Sequence, residues 1–87
     1  MKGRALVAWN LRRIRVRRGL SQERLAHEAD VDRSYVGGLE RQEANPTVDV
    51  LDRLAKMLEV PMSEFFKEPP KGVAPPKPLR SGRRSSR

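Results

Sequence analysis

Residues 21–41 read SQERLAHEADVDRSYVGGLER, and the fold is decided there. Ser21 is a helix N-cap residue, followed by Gln22 and Glu23 in a first turn where an acid suits the positive end of the helix dipole. Arg24 stands where a full capping box would have glutamate or glutamine. Leu25, Ala26 and Ala29 then form one inner face. Asp30 ends this helix, and Asp32 or Arg33 opens another that buries Val36 and Leu39. Gly37 and Gly38 oppose that second helix, each costing roughly 1 kcal/mol of propensity relative to alanine, so their presence needs a reason. Two short helices separated by three or four residues make a helix-turn-helix unit.

Working outward, Val7, Leu11 and Ile14 recur at steps of four and three, the stripe of an amphipathic helix over 7–18 whose other faces are rich in arginine. Gly19 stops it. On the other side, a polar loop from Arg41 to Pro46 leads to Thr47, a cap for a helix with Asp49 in its first turn. Val48, Leu51, Leu54, Ala55 and Leu58 supply its core stripe. Val60-Pro61 breaks it, and Pro61 suits the start of a last short helix, Met62 to Phe66, with Phe65 turned inward and Phe66 elsewhere. The expectation is an all-α, compact five-helix domain over 1–66.

Charge divides the 87 residues differently. The formal net charge is +8. Residues 1–22 carry seven basic groups and no acid, residues 23–66 carry five basic groups against ten acids, and residues 67–87 carry seven against Glu68 alone. Basic ends flank an acidic middle, a balance that favours polyanionic partners. The segment 67–87, KEPPKGVAPPKPLRSGRRSSR, holds Pro69, Pro70, Pro75, Pro76 and Pro78 with almost nothing apolar to bury. It reads as a disordered basic tail, either a nonspecific phosphate-binding arm or a solvated segment without a role.

Several function classes drop out. With no cysteine and His27 as the single histidine, thiolate and His-rich metal sites are excluded, and neither a metal nor a cofactor is expected. His27 reads as a surface residue. No apolar run approaches the ~20 residues that cross a bilayer, and the N-terminus lacks the form of a signal peptide, so a cytoplasmic protein without membrane partners is expected. Ser21, Ser34 and Ser63 have no arranged base, which leaves no catalytic residue to name. No small-molecule ligand is evident.

The same stretch, followed by NPT and LDRLAKMLEV, resembles the Cro and lambda-repressor type of helix-turn-helix regulator, the XRE family. The resemblance runs over roughly residues 5–66. It rests on the turn pattern, the Leu25-Ala26 pair, the Glu40-Arg41 pair and the Asn45-Pro46 loop, in order and at family spacing. DRSYVGGLER is particularly similar to the controller proteins of restriction-modification systems, and antitoxins share the domain. Two departures stand out. Asp30 occupies the turn position usually held by glycine, and Gln42 follows Glu40-Arg41 where the family often has another, which leaves the path of that loop open.

The resemblance implies a lambda-repressor-like DNA-binding domain, double-stranded DNA as partner, and a homodimer on an inverted repeat. Its residue roles carry over as follows. Gln22 bonds a phosphate or braces the recognition helix. Asp32, Arg33, Ser34, Gly37 and Gly38 lie on the exposed face that enters the major groove, with Arg33 the best base reader because a guanidinium can bond guanine O6 and N7 together. The two glycines either let the backbone approach base edges or relieve packing. Tyr35 reaches a phosphate or packs on the scaffold, and Arg41 joins the DNA-binding set. Arg15 and Glu40 form a structural ion pair. Arg12, Arg13, Arg17 and Arg18 either touch phosphates at the rim or make a solvated face. Val50, Met57 and Phe66, apolar and off the core stripe, are expected at the dimer interface; the alternative is that Met57 and Phe66 fill gaps near Trp9. A second class of function, a protein adaptor that recruits through the basic Pro-rich tail, draws on the acidic middle segment.

Overall fold

A computed structural model describes residues 2–72. They form four α-helices, α1 (Gly3–Arg17), α2 (Gln22–Ala29), α3 (Arg33–Glu40) and α4 (Val48–Leu58), and a closing 3-10 helix, Met62–Phe66. Among the described residues there is no strand. The expected all-α architecture is present, with its fifth segment a single tight turn rather than an α-helix. The expected tail lies largely outside the described residues, which stop at Gly72.

Three helix starts follow from their caps. The Ser21 hydroxyl oxygen accepts the Arg24 N–H at 3.0 Å, an Asp32 carboxylate oxygen accepts the Ser34 N–H at 2.9 Å, and the Thr47 hydroxyl oxygen accepts the Val50 N–H at 3.1 Å. Each satisfies a donor that the first turn leaves without a helical partner. Helix α1 begins at Gly3, four residues before Val7, and Lys2 supplies no side-chain cap. Its start therefore carries no local sequence signal.

All four helices stop in the same way. The residue that leaves each one has a left-handed backbone: Gly19 (φ 72°), Asp30 (58°), Gln42 (65°) and Glu59 (59°). In every case its N–H and the next one bond back into the last turn, as in Gln42 N–H to Leu39 O (3.1 Å) and Glu43 N–H to Gly38 O (2.8 Å). This is the Schellman closure, which glycine enters without the Cβ penalty that other residues meet. Gln42 thus takes the left-handed backbone that glycine would take. Gln42→Gly is expected to raise stability by about 1 kcal/mol, a rise in Tm of about 4–8 °C for a domain this small. Thermal unfolding followed by circular dichroism measures it, and a lower Tm would count against strain at this position.

The core joins Val7, Leu11 and Ile14 of α1 to Leu25 of α2, Val36 and Leu39 of α3, Leu54 and Leu58 of α4, and Phe65, all at most 4% exposed. Phe65 points inward and Phe66 outward, as expected. Two assignments on α4 exchange places. Val48 is exposed rather than in the core stripe. It is the first residue of α4, and its side chain leans toward the N-terminus, past the end of the core. Val50, assigned to the dimer interface, is half-buried and packs against the core, one turn before Leu54.

Asn10 is fully buried. Its amide nitrogen lies 3.0 Å from Leu6 O, 3.0 Å from Phe65 O and 2.8 Å from Lys67 O, and its carbonyl oxygen accepts the Arg13 Nε–H at 3.1 Å. One side chain therefore ties α1 to the segment that follows the 3-10 helix.

Candidate nucleic-acid interface

Helices α2 and α3 are held at a fixed angle by the turn between them. Asp30 takes the left-handed conformation that reverses the chain, Val31 packs against the core, and Asp32 caps α3. The Asp32 carboxylate accepts both the backbone N–H and, at 2.8 Å, the hydroxyl of Ser34. Those bonds hold its carboxyl below the usual carboxylate range, so the cap stays ionised at neutral pH.

Behind α3 lies a network that braces it. Arg15 meets Glu40 through two parallel bonds, Nε to Oε2 at 2.6 Å and Nη2 to Oε1 at 2.9 Å, and Arg15 Nη1 donates to Leu20 O at 2.8 Å. Gln22 Nε2 donates to Glu40 Oε1 at 3.0 Å. The Arg15 and Glu40 side chains are 4% and 5% exposed. A planar guanidinium matched to a carboxylate fixes direction as well as distance, so this cluster locks α1, the α1–α2 turn, the start of α2 and the end of α3 together. Arg15 and Glu40 meet as a buried pair, and Gln22 donates to the same carboxylate.

On the outer side, Arg33 and Ser34 are exposed at the N-terminal end of α3. The Arg33 guanidinium is engaged by the carboxylate of Glu23, with side-chain exposures of 68% and 62%. Arg41 is exposed and pairs with Glu43 at 3.1 Å. Tyr35 is half-buried and packs against the core. Gly37 and Gly38 are not on the exposed face; both are buried. A Cβ on Gly37 would lie 3.0 Å from Arg41 Nη1 and 3.5 Å from Gln22 Oε1, and one on Gly38 would lie 3.6 Å from the Ala44 Cβ. Lacking side chains, the two let Arg41, Gln22 and the 41–46 loop close over the helix. Gln22 and Arg41 thus converge over Gly37, toward the C-terminal end of α3.

The arginines of α1 divide. Arg13 lies over the Trp9 ring, 5.8 Å from its centroid, and reaches Glu64 at 3.4 Å; Arg18 pairs with Glu59 at 3.0 Å. These two fasten α1 to the C-terminal half. Met57 and Phe66 are 39% and 46% exposed. Neither belongs to the buried core. Two residues that matter were not singled out from sequence. Asn10 falls on the Val7–Ile14 stripe, and a polar residue among core positions is a readable sign of a buried hydrogen-bonding role. Glu23 carries no such sign, because its pairing with Arg33 depends on how α2 and α3 cross.

Among the described residues no group of three or more His, Asp or Glu is placed to hold a metal ion, and no helix is long and apolar enough to cross a membrane.

A family described as helix-turn-helix (HTH_3) matches residues 11–65. The chain is 36% identical over 66 residues to a protein named Neisseria hypothetical transcription factor, from Neisseria meningitidis serogroup B, a match of 76% of this chain and 62% of that one. It is 40% identical over 65 residues to the HTH-type transcriptional regulator SutR of Escherichia coli, covering 75% of this chain and 36% of the regulator. It is 42% identical over 61 residues to the control protein C.SmaI of Serratia marcescens, covering 70% and 73%. The chain thus spans less than two thirds of the first two relatives. Among solved structures, the restriction-modification controller protein C.AhdI of Aeromonas hydrophila superposes with a TM-score of 0.70 at 40% identity, covering 72% of this chain and 96% of that one. The controller protein C.Esp1396I, solved as a tetramer in complex with its natural 35 base-pair operator, superposes with a TM-score of 0.69 at 35% identity, covering 76% and 87%.

Proposed function

This chain belongs to the helix-turn-helix family HTH_3, and from that membership we propose that it is a sequence-specific DNA-binding transcriptional regulator that binds an inverted repeat as a homodimer and acts in the cytoplasm. The observation that carries the reading is the braced α2–α3 pair with Arg33 exposed at its outer end. An α-helix about 10–12 Å across fits a major groove about 12 Å wide. In this reading α3 enters the groove, Arg33 bonds a guanine edge, and Ser34 is a weaker second reader. Gln22 and Arg41, close together over Gly37, contact backbone phosphates. Tyr35 turns its hydroxyl toward the same backbone. Residues 1–66 act as the DNA-binding domain and 67–87 as a basic tail that adds phosphate contacts. Met57 and Phe66 meet their counterparts in a second copy, which places two α3 helices about 34 Å apart, one DNA turn. No catalytic step is involved.

The adaptor reading loses its support, because the acids of the middle segment are mostly spent on ion pairs and caps inside the domain. Glu40 pairs with Arg15, Glu28 with Arg24, Glu43 with Arg41, Glu59 with Arg18 and Glu64 with Arg13.

Selection from random duplex DNA tests the function. Enrichment of a palindrome is the expected result, and no enrichment at all would sink the regulator reading. Arg33→Ala is then expected to weaken binding to the selected duplex by about 1–3 kcal/mol while leaving binding to random duplex nearly unchanged. Equal losses on both duplexes would move Arg33 to the phosphate contacts.

A further inference from the structure

Polyanion binders usually present excess positive charge where they meet their target, yet residues 21–43 hold three arginines against six acids. Each of those arginines has a carboxylate partner on the same unit: Arg24 with Glu28, Arg33 with Glu23, and Arg41 with Glu43. Two of the three pairs join neighbours on one helix or loop. The Arg33–Glu23 pair is different, since it crosses from the first turn of α2 to the first turn of α3, ten residues away, and it holds the side chain that reads the base.

We propose that Glu23 is a positioning residue for the base reader, a carboxylate that occupies Arg33 until a guanine edge replaces it. The inference rests on the reading of Arg33 as the base-contacting residue. Exposed ion pairs are weak and exchange readily, so Arg33 leaves Glu23 when a better acceptor is presented. A guanine in the right position offers O6 and N7 together and matches the guanidinium fork. A phosphate on arbitrary DNA offers one more anion, and reaching for it strands the Glu23 carboxylate beside a polyanion. Leaving Glu23 costs the same on either DNA, and the two-point guanine contact offsets it better than a single phosphate does, so Glu23 keeps Arg33 off arbitrary phosphates.

Glu23→Gln keeps the shape and removes the charge. On random-sequence duplex the variant is expected to bind more tightly, by up to about eightfold at 0.1 M salt. Its slope of log affinity against log salt is expected to steepen by about 0.9, the value of one added phosphate contact. Affinity for the selected palindrome is expected to rise at least as much, because Arg33 no longer leaves a partner to reach guanine. In an Arg33→Ala background the same substitution is expected to leave the slope on random duplex where it was, since no cation is freed to meet a phosphate. An unchanged slope in the single variant overturns the proposal, as does a steepening that survives without Arg33, which would mean that Glu23 acts by plain repulsion. Failure of the wild-type protein to select any sequence counts against the regulator reading instead, because the slope on random duplex is measured without an operator.

Discussion

Arg15→Ala is expected to remove a large share of the domain's stability. The substitution leaves the Glu40 carboxylate 5% exposed with only the Gln22 amide to answer it, and strips Leu20 O of its donor. Removing one member of a buried pair typically costs about 3–5 kcal/mol, more than the pair itself contributes, because an uncompensated charge remains in a poor solvent. Domains of this kind are stable by only about 5–15 kcal/mol. The expected fall in Tm is at least about 12 °C, measured by thermal unfolding, with DNA binding lost in the same range. A double variant, Arg15→Met with Glu40→Leu, recovers much of the loss by removing the stranded charge, though Gln22 and Leu20 still lack partners. A Tm for Arg15→Ala within a few degrees of wild type would show that water reaches the site and that the brace is not one.

Met57→Glu with Phe66→Glu yields a folded monomer. Both side chains are exposed in the single chain, so charged replacements face water and the melting temperature changes little. In a dimer the same positions would bury carboxylates against each other. Joining two reading heads converts the second contact into an intramolecular one, a gain of about 10²–10⁴ over either head alone. Affinity for the selected palindrome is expected to fall by about that factor, with binding to a single half-site unchanged. Sedimentation distinguishes the outcomes. A variant that remains dimeric places the interface elsewhere, and one that loses its helices puts these residues in the core after all.

What the sequence discloses and what it hides separate along a physical line. The starts of α2, α3 and α4 are legible because Ser21, Asp32 and Thr47 act on donors two or three residues away. The inward Phe65 and the Leu51–Leu58 stripe are legible from helical spacing. The start of α1 is not, since Lys2 caps nothing and the helix holds because its far end is packed. The burial of Gly37 and Gly38 was hidden for a related reason. The family resemblance puts them on an outer face, and it is Gln22 and Arg41 over Gly37 and the loop at Ala44 over Gly38 that cover them. Val48 and Val50 were exchanged because periodicity sets a direction around the axis but does not say where the core ends along it. Among the site residues, the roles of Arg15, Glu40 and Arg33 come from the family resemblance, whereas the partner of Arg33 depends on a crossing between two helices that no local pattern encodes.

The Asn10 junction has a consequence for the protein during its own synthesis. The amide of residue 10 is answered by carbonyls of residues 65 and 67, and Phe65 fills the core against α1, so the first helix made cannot be completed until the last segment of the domain has left the ribosome. At about 5–20 residues per second, the final docking of α1 waits roughly one to five seconds after the α2–α3 unit has been made. A chain that stops short at Leu58 lacks both the amide's partners and the aromatic plug, and is expected to be cleaved by a protease faster than the complete domain.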